Sequence, residues 1–89
     1  MHLPLFLTKS RCSRWRLLRR IAGLTQKQVI GYLVLFGCKV GKNLLTRLET
    51  DSNCSVDQEV ISCLSYIYNA EGNPVNLGWV INGIDTPWK

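Results

Sequence analysis

The sequence predicts an all-α domain of five short helices, and three observations carry that prediction. Apolar residues recur at three- and four-residue intervals along most of the chain. Thr25 with Gln28, and Ser55 with Gln58, form two capping-box patterns, each just ahead of an apolar run. Gly23, Gly37 and Gly83 stand where those runs end, as residues that stop helices do. A chain of 89 residues allows one domain. It divides into an N-terminal arm over residues 1–12, a helical body over 13–84 and a tail over 85–89.

In the first helix Ser13 is the expected cap, and Trp15, Leu18 and Ala22 fall on one face before Gly23. Thr25 opens the second helix, whose buried side is expected to be Val29, Leu33 and Phe36. "VIGYLVLFG" is rich in β-formers, but the capping box before it and the glycine after it favour a helix. Gly41 is the expected cap of a third helix, "GKNLLTRLE", with Leu45 and Leu48 inward. "TDSNC" reads as a polar turn. Ser55 caps a fourth helix that turns Val60, Ile61, Leu64 and Ile67 inward, and "NAEGNP" is a loop. "VNLGWVINGI" supplies a brief fifth helix ended by Gly83.

The net charge of +5 is unevenly spread. Residues 1–50 hold ten of the eleven Lys and Arg residues and one acid, Glu49, which makes that half +9. Residues 51–89 hold Lys89 and five acids, which makes the other half −4. Such a split suits one surface facing a polyanion and another with a different task.

The four cysteines lie 26, 16 and 9 positions apart and form no CxxC pair, and the single histidine is His2. Neither a metal site nor a Cys–His catalytic site is expected, and no cofactor. The start "MHLPLFLTK" makes a poor signal peptide, and no run approaches the ~20 apolar residues of a membrane span. Reduced thiols in a cytoplasm follow, with Cys63 buried as a small hydrophobe. With no paired carboxylates or phosphate-cradling glycine loop either, the chain is not expected to be an enzyme or to bind a small-molecule substrate.

Two short helices joined by a glycine-bearing turn, with basic residues on the second, match the helix-turn-helix pattern of DNA binding. "LRRIAGLTQKQV" (18–29), "LLTRLE" (44–49) and "VNLGWVING" (75–83) occur in order at plausible spacing. In these stretches the chain resembles the phage-repressor-like helix-turn-helix family (Cro/repressor, xenobiotic-response-element type). The likeness runs from about Arg14 to Gly83. The 23 positions from Gln26 to Glu49 are similar to a subgroup with an extended second helix and turn. The resemblance implies a five-helix lambda-repressor-like DNA-binding domain with its helix-turn-helix at helices two and three.

It also implies roles. Gln26, at the positive end of helix two, would hold the DNA backbone. Lys42, Asn43, Thr46 and Arg47 would face outward from helix three, where Lys and Arg suit guanine edges and Asn suits adenine. Leu44, if exposed, suits a thymine methyl. Lys27 and Lys39, with Arg14 and Arg16, would add phosphate contacts that position without specifying sequence. Arg19 and Glu49 would form a structural ion pair between helices one and three. Trp79, Val80, Ile81 and Trp88 are candidates for a dimer interface, since palindromic operators need two recognition helices about one DNA turn apart. The expected partners are double-stranded DNA and a second copy, acting as a repressor of a phage or mobile element. The alternative is an antitoxin or other protein-interaction module on the same fold.

Overall fold

The computed structural model describes residues 10–41 and 43–89. It is an all-α fold with five helices, α1 (Arg11–Ala22), α2 (Gln26–Leu35), α3 (Leu44–Thr50), α4 (Gln58–Ile67) and α5 (Leu77–Asn82). α1 lies against α3 and α5, and α2 lies against α3 and α4. The packing of α2 and α3 is helix-turn-helix-like.

α1 starts earlier than its sequence suggests. Ser10, not Ser13, is the N-cap, and its hydroxyl accepts from the Ser13 N–H at 3.2 Å. Trp15 and Leu18 are buried as expected, but Ala22 in the last turn is exposed and Leu17 takes its place in the core. Gly23 ends the helix at φ 73°, a left-handed conformation that costs little without a Cβ.

The box at the start of α2 forms in full. Thr25 Oγ1 accepts from the Gln28 N–H at 3.1 Å, and Gln28 Oε1 accepts from the Thr25 N–H at 2.9 Å. Val29 and Leu33 are fully buried. Phe36 is not, because α2 ends at Leu35 and leaves it as the exposed C-cap.

α3 is a two-turn helix capped by Asn43, not Gly41, and Asn43 makes no side-chain cap bond. Leu45 and Leu48 are buried. In α4 the expected Ser55 cap does not form: Asp57 is the N-cap, without a side-chain bond, and Ser55 precedes it. Val60 and Leu64 are fully inside, while Ile61 and Ile67 pack at the core's edge.

"NAEGNP" is more ordered than a loop. Ala70 and Asn73 exchange backbone hydrogen bonds of 3.0 and 2.9 Å around Glu71 (φ 52°) and Gly72 (φ 84°). Two successive positive φ values are the mark of a type I′ turn, and Gly72 meets the second at no steric cost. α5 is capped by the Asn76 side chain and ends at Gly83.

The tail returns to the body. Val75 and Trp88 form an antiparallel bridge, and Asn76 N–H donates to the Pro87 carbonyl at 2.8 Å. The Trp88 indole N–H donates to the Tyr68 carbonyl at 2.8 Å. Trp15 and Tyr68 occupy the centre, tilted by 54° with centroids 6.4 Å apart. The ring pair links α1 to the residue that ends α4.

Candidate nucleic-acid interface

A line of side chains ties α1, α2 and α3 together. Glu49, 2% exposed, accepts from Arg19 through Nε to Oε2 at 2.8 Å and Nη2 to Oε1 at 3.0 Å. The hydrogen bonds to Glu49 raise the Arg19 pKa, burial opposing them. Arg19 also donates to the Leu24 carbonyl in the turn before α2, at 2.9 Å. Gln26 Nε2 donates to Glu49 Oε1 at 3.3 Å, and Thr46 Oγ1 donates to Gln26 Oε1 at 3.3 Å. The Gln26 amide is therefore held at both ends by α3. Its nitrogen still carries a second hydrogen, and the first-turn N–H groups of Gln26 and Lys27 have no partner within the helix.

On α3 the spacing places Asn43, Thr46, Arg47 and Thr50 along one side, and all four are exposed. Leu45, Leu48 and Glu49 are buried. Leu44 is only partly exposed and packs against the core, so it is not a free apolar tip beside Asn43. The Thr50 hydroxyl, which the sequence did not single out, donates to the Thr46 carbonyl at 2.6 Å. Lys27 and Lys39 are exposed. Lys42 lies outside the described residues.

Arg14 and Arg16 both donate to backbone carbonyls within the fold. Arg14 is buried, and its Nε donates to the Val80 carbonyl at 2.6 Å and its Nη2 to the Ile81 carbonyl at 3.3 Å. It closes the C-terminal end of α5, where carbonyls lack helical partners. Desolvation by burial lowers its pKa. Arg16 Nη2 donates to the Glu49 carbonyl at 3.0 Å, bracing the last turn of α3. No local pattern distinguishes such an arginine from a solvated one.

Of the residues assigned to pairing, Trp79 and Val80 are consumed by the chain's own core. Trp88 is half-buried and engaged by Tyr68, and Ile81 alone is exposed, at 40%. The large exposed apolar side chains lie largely elsewhere: Tyr32, Val34, Leu35 and Phe36 on α2 and its end, and Tyr66 on α4. Tyr32, Phe36 and Tyr66 line an open groove of about 370 Å³ between those helices.

Cys63 is partly buried, and its Sγ lies 3.3 Å from that of buried Cys38. All four thiols are free. Among the described residues, no group of three or more His, Cys, Asp or Glu is placed to hold a metal ion, and no helix is long and apolar enough to cross a membrane. No family model, no curated protein and no solved structure matches this chain.

Proposed function

We propose that the protein is a sequence-specific, double-stranded DNA-binding regulator of the phage-repressor-like helix-turn-helix type, working as a homodimeric repressor in a cytoplasm. One observation carries the proposal: Glu49 holds Arg19 and Gln26 together while Asn43, Thr46 and Arg47 stay exposed on α3. A reader needs a rigid support behind a polar face, and the buried carboxylate supplies it. Asn43, Thr46 and Arg47 then enter the major groove from the N-terminal part of α3, with Lys42 beside them in sequence. The start of α2, with Gln26 and Lys27, meets a phosphate, and Lys39 adds salt-sensitive attraction. Repression follows from occupancy of the operator.

The test is selection of bound duplexes from a random pool with non-specific competitor at moderate salt. A single enriched motif, arranged as two half-sites, is the expected result.

The exposed apolar groove supports a second role, a module that holds a protein partner as an antitoxin does. A partner that co-purifies with the native chain, and is lost from the Tyr32→Ser/Phe36→Ser double variant, would establish it.

A further inference from the structure

Cys38 lies in the connection between α2 and α3, and Cys63 lies on α4, twenty-five positions away in the chain. Their sulfurs are 3.3 Å apart, and a disulfide needs about 2.05 Å. Closing the remaining gap asks for a shift of roughly 1.2 Å, within the reach of small side-chain rotations. We propose that Cys38 and Cys63 are an oxidisable pair that forms an intramolecular disulfide under peroxide, closing a loop that contains all of α3.

The two thiols have different surroundings. Cys38 is buried, and its hydrogen bond with Cys63, followed by desolvation, pushes its pKa up to about 11. It stays protonated near neutral pH. Cys63 is partly exposed and, of the two, is the one open to an oxidant. Its thiolate attacks one oxygen of hydrogen peroxide, forming an S–O bond as the O–O bond breaks and hydroxide leaves to be protonated to water. Cys38 then gives up its proton to the hydroxyl on the Cys63 sulfur as its own sulfur, now thiolate in character, attacks that sulfur. An S–S bond forms, the S–O bond breaks, and the hydroxyl departs with the Cys38 proton as a second water. Two thiols are oxidised to one disulfide, and one peroxide is reduced to two waters. Cys12 has no comparable partner: its sulfur contacts the hydroxyls of Ser10 and Ser52 at 3.2 and 3.3 Å.

A cross-link over a loop of this length restricts the unfolded chain and raises the midpoint of thermal unfolding by on the order of 10 °C. This effect is independent of any DNA binding.

The experiment treats the full chain with stoichiometric hydrogen peroxide, then alkylates it and digests it after Lys, Arg and Glu. That digest separates all four cysteines and puts Cys38 in peptide 28–39 and Cys63 in peptide 60–71. The expected product is monomeric, two hydrogens lighter, with those two peptides joined and a raised midpoint that reductant reverses. Cys12→Ser and Cys54→Ser should behave as the parent does, and Cys38→Ser and Cys63→Ser should gain no cross-link. Mapping on the parent chain needs no variant to fold. A bond to Cys12 or Cys54, a chain-to-chain disulfide, or over-oxidised Cys63 without a cross-link would each overturn the proposal.

Discussion

Arg19 and Glu49 meet side by side, with two nitrogens of the guanidinium on the two oxygens of the carboxylate at 2.8 and 3.0 Å. The contact joins α1 to α3, and its carboxylate is almost wholly buried. Removing one partner leaves the other charge without compensation inside the protein. Arg19→Met is therefore expected to cost about 3–5 kcal/mol of stability in urea unfolding. The double change Arg19→Met with Glu49→Leu should recover most of that loss, because two apolar chains pack where two charges did. If the single change costs less than about 1 kcal/mol, the pair does not act as the buried clamp described above.

Thr25 and Ser55 make a matched comparison. Both precede a glutamine by three residues, but only Thr25 closes a capping box. Thr25→Ala should cost about 1 kcal/mol, whereas Ser55→Ala should stay within roughly 0.5 kcal/mol of the parent. Denaturant midpoints of the two variants check this directly, and equal losses would contradict the cap positions.

Alkaline pH should weaken the fold through two groups. Hydrogen bonding to Cys63 and burial push Cys38 from 9.0 up to about 11, and burial raises Tyr68 above its ordinary 10.0. Both release a proton at lower pH in the unfolded chain than in the folded one. Their contribution is therefore intact below about pH 9 and is lost as pH rises towards the folded values. Unfolding midpoints at pH 7.5, 9 and 10.5 should fall in that order. Cys38→Ser should flatten the decline between pH 9 and 11, and Tyr68→Phe the part above 10. The Tyr68 hydroxyl is buried without a hydrogen-bond partner, so Tyr68→Phe at pH 7 should be at least as stable as the parent.

What the sequence made legible is what local chemistry decides. The Thr25 box, the left-handed glycine at Gly23 and the inward pair Leu45 and Leu48 each depend on a few neighbouring residues, and each stands where expected. The Ser55 pattern misled because the chain enters α4 only at Asp57, two residues after the serine. Phe36 misled because the three- and four-residue spacing loses meaning once α2 ends at Leu35. Trp88 bridges to Val75, thirteen positions away, and no periodicity announces such a pairing. In the candidate site the exposed row on α3 was readable from spacing. The use of Gln26 as a strut to Glu49 and Thr46 was not, because it needs two helices in register.

The most direct test of the central claim is a binding measurement on duplexes enriched by selection, comparing the parent chain with Asn43→Ala, Arg47→Ala and Gln26→Ala at fixed salt. Asn43→Ala and Arg47→Ala should each lose about 1–3 kcal/mol of discrimination at one base position. Gln26→Ala, if the proposed phosphate contact is its main role, should weaken every sequence by a similar factor. Any added loss of discrimination should be confined to the base met by Thr46, whose hydroxyl Gln26 holds. A parent chain that binds no duplex better than random competitor at moderate salt would contradict the account.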